Sequence, residues 1–528
     1  MQQEVLLQLS PKDAADAATI QAELARYIAV QPKKISGFQI LKKSIDARKR
    51  DVKINLKVKA FIDEPFEELK NPNFNFPDVR NSRYRTVVVG AGPAGLFAAL
   101  ELIQQGIKPI VLERGKNVRD RRRDLAVLNR EGILDEDSNY CFGEGGAGTY
   151  SDGKLYTRSN KRGSVDTILQ LLVHFGADPS ILYTAHPHIG TNKLPGIIAS
   201  IREQIIESGG EVHFNQKITD FNIQGNKITS VKTQSGDTIS GNQIILATGH
   251  SAKDIFYLLD EKKILIEPKP FALGVRIEHP QALIDSIQYH CPVWQGRGNY
   301  LPPASYQLVN QVNHRGVFSF CMCPGGIIAT ASTSQNALVV NGWSPSKRNN
   351  PFANSGMVVQ VELGDVMRGT MDKEGERRGN LALHDFQEMV ERTAYNAGGG
   401  KFVAPAQRMT DFIEGRISNT LPDTSYIRGV NSVDLNNVLP GFIAQSLREG
   451  FKSFGKKMKG YLTEEAIIVA PESRTSSPVR IPRDEIKLHH PQITNLYPCG
   501  EGAGYAGGIV SAAMDGIKVS KMIAATHQ

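Results

Sequence analysis

The stretch VVVGAGPAGLFAALELIQQGIKPIVLERG, residues 87–115, decides the reading of this chain. Val87, Val88 and Val89 form a short β-branched run, the mark of a buried parallel strand. Gly90, Gly92 and Gly95 follow as G-x-G-x-x-G, with Pro93 and Ala94 between them. The first glycine allows a tight turn, the second lets a diphosphate approach the backbone, and the third lets the next helix pack close to the strand. Leu96 to Leu102 read as that helix, with its free N–H groups aimed at phosphates. A second apolar strand, Pro109 to Leu112, ends at Glu113, 113 − 95 = 18 residues after the last glycine. A carboxylate close to that spacing accepts hydrogen bonds from ribose hydroxyls. A lone G-x-G-x-x-G is often only a turn. Strand, glycines, helix, strand and acid in register point to a dinucleotide. Three glycines, a proline and Glu101 inside the run argue against a membrane span.

The chain has 528 residues, which predicts two to four domains. Its 62 basic and 54 acidic residues leave a net charge of +8, mild for this length and compatible with an anionic ligand. Five scattered cysteines do not form a disulfide framework, and a reducing cytoplasm is expected. The first residues, MQQEVLLQLSPKDAAD, lack the basic and apolar regions of a signal peptide.

Residues 1–78 read as a separate module. Val5, Leu7 and Leu9 alternate as in a strand, Pro11 to Ala29 shows helical spacing, and Phe38 to Ile45 and Ile54 to Ile62 read as two strands. The order β-α-β-β is that of a small ferredoxin-like α+β unit. NPNFNFPD, residues 71–78, reads as the linker. The module is basic, with Lys33, Lys34, Lys42, Lys43, Arg48, Lys49 and Arg50. It lacks the stacked aromatics of an RNA-binding sheet, so a solvated face is favoured over nucleic acid.

After Glu113, Arg114 and one arginine of the segment 119–123 are candidates for a diphosphate, or are simply solvated. In YCFGEGGAGTYSDGKLYTR, residues 140–158, the glycines leave backbone free to wrap a flat ligand. Gly146, Gly148, Thr149, Ser151, Asp152, Gly153 and Lys154 are the candidate contacts there. A helix is expected over 195–208 and a strand over Glu211 to Phe214, with Ile218 after it. Meander strands follow from Phe221 to Ile239. A buried strand from Gln243 then ends in Ala247-Thr248-Gly249. Residues 493–523 read as strand, Gly-rich turn and helix.

These motifs together resemble FAD-containing oxidoreductases of the glutathione-reductase-like superfamily. The resemblance implies that Gly90, Gly92, Gly95 and Glu113 hold the ADP half of FAD and that Ile218 lies near adenine. It places Gly500, Glu501, Gly507, Gly508 and Ile509 by the ribityl chain and flavin ring, with Glu501 where an aspartate is usual. The helix after that turn would stabilise the anionic reduced flavin. AHPHIGTNKLPG, KPFALGVRIEHP, LPPASYQLV, SFCMCPGG and CGEGAGYAGGI are similar to a bacterial family of FAD-dependent dehydrogenases of unassigned substrate. That resemblance spans nearly the whole chain and includes an N-terminal α+β extension.

The expected fold is therefore α/β: a Rossmann-like three-layer FAD-binding domain in two segments, 82–251 and 491–528, with an inserted β-rich α+β substrate domain at 252–490. Strands are expected at Phe271 to Ile277, Tyr306 to Val309, Val317 to Cys321, Ile327 to Ala331 and Ala337 to Val340, and a Pro- and Asn-rich loop over 345–356. The expected function is hydride transfer between a small molecule and flavin N5. NAD(P)H or another donor or acceptor would act without a second Rossmann domain, since no second G-x-G-x-x-G occurs. Alternatives are an RNA-binding flavoprotein, such as a tRNA-modifying enzyme, and a non-catalytic regulatory flavoprotein.

Catalytic residues are not legible. Arg276, Glu278, His279, Arg297, His314 and Arg474, and outside the insertion His186, His188, Thr191, Lys193 and His250, are polar candidates. His186 and His188 lack a third ligand, so no metal site is read. Cys321-Met-Cys323 on a flat strand would hold its side chains about 7 Å apart, against a disulfide. The pair reads as buried structural thiols rather than thiols facing a flavin.

Overall fold

The computed structural model of the protein describes residues 1–68, 73–157, 163–367 and 379–526. The strand Arg85–Val89 lies at the centre of a five-stranded parallel sheet. Gln243–Leu246 and then Leu496–Pro498 flank it on one side, and Lys108–Leu112 and then Glu211–His213 on the other. Alternate residues of these strands face opposite layers. Val88, Val111, Ile245 and Tyr497 pack against the helices Pro93–Gln104, Val165–His174, Leu194–Glu207 and Ile509–Ala525. Val87, Val89, Ile110 and Ile244 pack against the meander Ile218–Gln224, Lys227–Thr233, Thr238–Ser240 and the helix Lys253–Glu261. Helices Pro93–Gln104 and Ile509–Ala525 touch closely at Gly516, where a Cβ would lie 2.1 Å from the Ala94 carbonyl oxygen.

Between 271 and 472 the chain builds a second, mainly antiparallel sheet of seven strands. Its order is Val309–Val312, Arg315–Cys323, Phe352–Val361, Phe271–Pro280, Ile467–Glu472, Ala404–Arg408 and Val430–Ser432. The helix Gly441–Lys457 packs on it. The loop expected over 345–356 is overturned in its second half. Phe352–Val361 is a central strand, buried along nearly its whole length. Its polar Asn354 and Ser355 are hydrogen-bonded inside the sheet, so composition alone misled. The strand expected from Tyr306 begins at Val309, and the one expected from Ala337 begins at Val340.

Phe256, Val479 and Ile481 belong to the core around the parallel sheet, although the expected boundaries at 252 and 490 put them in the insertion. The N-terminal unit has the expected β-α-β-β order, with Lys53–Ile62 between Gln2–Leu9 and Ile35–Asp46. Residues 73–78 do not behave as a free linker. Phe74 and Phe76 pack on His174 and Phe175, which belong to the sheet's helical layer. Residues 71 and 72 of that segment, and Arg158 of the glycine-rich stretch, lie outside the described residues. Among the described residues no helix is long and apolar enough to cross a membrane.

Candidate functional site

A cavity of about 390 Å³ runs from the carboxyl ends of the parallel strands to the wall of the inserted sheet. Open α/β sheets bind ligands in that position. All the cofactor residues read from the sequence line it except Gly95, Thr149 and Gly500. Those three are spent on structure. A Cβ on Gly95 would lie 1.9 Å from the Gly90 carbonyl oxygen. The Thr149 hydroxyl donates to the Glu144 carbonyl, and the Gly500 amide donates to Asp515.

Other glycines on the cavity are not explained by protein packing. A Cβ on Gly92 would meet nothing closer than Gly146 Cα at 4.0 Å, and Gly249, Gly507 and Gly508 would meet nothing within 4 Å. Their missing side chains keep space open rather than relieve a protein clash. Thr248 Oγ1, on the same wall, is buried with no hydrogen-bond partner among the described residues. Open backbone at two helix N-termini, with an orphaned hydroxyl between, fits an extended phosphorylated ligand.

Glu113 is buried and is held by three backbone amides. Oε2 accepts from Ala91, and Oε1 accepts from Gly115 and Gly143. The carboxylate thus ties the first glycine turn to the second glycine-rich stretch while facing the cavity. Arg114 also lines the cavity, but its guanidinium is bound to both oxygens of Asp254, at 2.8 and 2.7 Å, and stacks on Phe142. It is already paired where a free diphosphate contact was expected.

Arg121 corrects the solvated reading of residues 119–123. Its side chain is fully buried. It donates to the carbonyls of Asn139, Glu144, Tyr140 and Gly146, holding the glycine-rich stretch from behind. Asp152 is likewise buried and receives Arg348 of the inserted region at 3.2 and 2.6 Å. Burial would raise its carboxyl, but Arg348 and Lys154 beside it together outweigh that and hold it below the usual range. This pair joins the glycine-rich stretch to the insertion.

The insertion contributes Phe320, Cys321, Asn341, Arg474 and Thr475 to the cavity. Arg474 is bound to Glu391 at 2.9 Å. Behind them Arg276 is fully buried and bound to Glu472 at 2.7 Å, with further bonds to Asn354 Oδ1 and the Cys321 carbonyl. Of the remaining polar candidates, His250 reaches the cavity, its Nδ1 3.5 Å from Glu501 Oε2. Glu278 is buried under Thr424 and Ser425, His279 under Tyr461, and Arg297 is paired with Asp285. His188 meets the Ser346 carbonyl, and His186 packs on Tyr156.

The reading of Cys321 and Cys323 also changes. The strand carries a register shift between Phe320 and Cys323, and Cys321 has φ of 45°, so the flat-strand separation does not apply. Cys323 is buried, whereas Cys321 is half-buried and lines the cavity. The sequence signal, a C-x-C before Pro-Gly-Gly, was present; the bulge that turns one thiol outward was not legible.

Comparison with known proteins places the chain among FAD-binding sequences. Residues 270–475 match the family described as FAD-dependent protein, C-terminal domain-like, and residues 83–130 match the FAD binding domain family. Residues 1–61 match a family described as a domain of unknown function. An uncharacterized protein of Clostridium beijerinckii is 39% identical over 529 residues, covering 96% of each chain. Among solved structures, CtdE in complex with FAD is similar at a TM-score of 0.32 and 12% identity, over 84% of each chain. The 2,6-dihydroxypyridine-3-hydroxylase of Arthrobacter nicotinovorans is similar at a TM-score of 0.34 and 11% identity, over 83% of this chain and 82% of that one. Along nearly its whole length the chain belongs to one family with the clostridial protein, its residues 83–130 and 270–475 match FAD-binding and FAD-dependent families, and FAD is its cofactor.

Proposed function

We propose that the protein is an FAD-dependent oxidoreductase that passes a hydride between a small-molecule substrate and flavin N5. One observation carries this reading. The glycine cradle and the polar wall of the inserted sheet share a single cavity, so cofactor and substrate would meet inside it. Bound FAD supplies the two-electron chemistry; the protein supplies position and electrostatics.

In this reading the turn Gly90–Gly92 and the N-terminus of Pro93–Gln104 receive the diphosphate, and Glu113 holds that turn in shape while facing a ribose. Gly507 and Gly508 leave room for the ring system. The amino end of Ile509–Ala525 then lies where negative charge on a reduced flavin would be stabilised. Thr248 would satisfy its orphaned hydroxyl on the cofactor. Phe320, Asn341 and Arg474 would face the substrate, with Arg474 held in place by Glu391. The partner is a small molecule, with NAD(P)H able to act as donor without a second nucleotide domain.

The test is anaerobic. FAD-loaded protein is mixed with NADH, NADPH and pools of small metabolites while flavin absorbance is followed. Bleaching by one pool and return of colour on admitting an acceptor is the expected result. A flavin that dithionite bleaches but no donor reduces would overturn the oxidoreductase reading in favour of a non-catalytic flavoprotein.

A further inference from the structure

We propose that Cys321 and Cys323 form a redox-active dithiol on the wall of the FAD cavity, a second two-electron store that exchanges electrons with the flavin. The inference rests on FAD being the cofactor and on the oxidoreductase reading. It adds a second redox group supplied by the chain itself.

The first observation is backbone geometry. Residues 317–320 pair regularly with the neighbouring strand, and the register breaks before Cys323. At the break Cys321 adopts φ of 45°. A left-handed non-glycine residue within a strand is uncommon, and such conformations gather at functional sites. The bulge folds the Cys323 thiol back onto the backbone of Cys321. There Cys323 Sγ donates to the Cys321 carbonyl oxygen at 3.3 Å, and both thiols are free.

The second observation is placement. Cys321 lines the cavity with Gly508 and Ile509, while Cys323 lies behind it, buried. An attacking thiol that faces the cofactor and a partner shielded from solvent is the arrangement a dithiol couple needs.

The third observation is charge. Lys154 Nζ donates to the Met322 carbonyl, between the two cysteines. Arg276 Nη2 donates to the Cys321 carbonyl and lies 3.5 Å from Cys323 Sγ. The neighbouring Cys323 side chain holds the Cys321 thiol well below the ordinary thiol range, and Lys154 and Arg276 add to this against the cost of burial. The same contact and burial push the Cys323 thiol up. One thiolate beside one thiol is the reactive form of such a pair.

The exchange balances without a further reagent. Cys321 as thiolate and Cys323 as thiol give up two electrons and one proton as the Sγ–Sγ bond forms. Oxidised FAD takes up both electrons and that proton and becomes FADH⁻. In reverse, FADH⁻ returns the electrons and proton, and the bond opens to thiolate and thiol.

The experiment is a reductive titration of the FAD-loaded protein after treatment with diamide and removal of the reagent. Under anaerobic conditions dithionite should deliver four electrons per FAD to the wild type and two to Cys321→Ser or Cys323→Ser. In parallel, the diamide-treated wild type is denatured, alkylated and digested. The peptide holding both cysteines should be lighter by two hydrogens and resist alkylation. That second readout needs no variant and no bound flavin, so it decides even if a substitution disturbs folding. Uptake of two electrons per FAD by the wild type, with both cysteines alkylated, would overturn the proposal. If the flavin is still reduced by a donor in the same preparation, the oxidoreductase reading survives that failure.

Discussion

Gly92 and Gly95 stand three residues apart in one motif and do opposite work. Gly95 is demanded by the protein, because any side chain there would run into the Gly90 carbonyl. Gly92 faces open cavity. Gly92→Val should therefore give a folded protein that does not retain FAD, seen as a normal far-ultraviolet spectrum with no flavin absorbance after gel filtration. Gly95→Val should instead lower yield and melting temperature whether or not FAD is added. A Gly92→Val protein with bound flavin would show that the diphosphate lies elsewhere. These glycines were legible because a backbone demand leaves a local mark in sequence. Arg121 was not, since its carbonyl partners lie 18 to 25 residues away and only the folded stretch collects them. Arg121→Met keeps much of the volume but strands several buried carbonyls. It should cost more than about 3 kcal/mol in denaturant unfolding, and the loosened stretch should shed FAD as well.

At the scale of elements, strand and helix types around the cradle were readable because their periodicities are unmixed. The inserted sheet was read only in part. Phe352–Val361 carries Asn354 and Ser355 at buried positions, which resembles a loop until the partner Arg276 is placed beside it. The same sheet offers a pH test. His279, on the adjacent strand Phe271–Pro280, is buried and donates from Nε2 to the Tyr461 carbonyl. Burial lowers its pKa to about 4. An unfolded histidine takes up its proton near its ordinary value of about 6.5, so the unfolded chain binds more protons between these values. The stabilising contribution is complete above about pH 6.5 and is lost as pH falls through about 4, amounting to roughly 3 kcal/mol. Urea unfolding across that window should show the slope in the wild type and a flatter limb in His279→Gln. Identical limbs would place the acid sensitivity in another group.

For the whole molecule, the N-terminal unit is tied to the rest at several points. Lys43 exchanges backbone hydrogen bonds with Tyr183 and Ala185, and His290 meets the Ala47 carbonyl. Deleting residues 1–66 removes these ties but leaves Phe74 and Phe76 on His174 and Phe175. Deleting 1–78 removes that packing too. The shorter deletion should keep full flavin content, and the longer one should lower the melting temperature further and expose surface that binds a hydrophobic dye. Equal behaviour of the two would mean that the phenylalanines contribute nothing to stability.

The two-segment parallel sheet has a consequence for how the protein is made. Ile244 pairs with Leu496, so the central sheet closes only after some 250 intervening residues have been arranged. Contacts of such separation form late, because loop closure must precede their reward. The helix Ile509–Ala525, which borders the cavity, lies beyond that closure. Flavin capture that uses this helix is thus expected late in folding, after the two ends of the insertion have been brought together. A substitution deep in the seven-stranded sheet, far from any glycine of the cradle, is then expected to show as a colourless fraction of the purified protein, read as flavin absorbance per mole of chain.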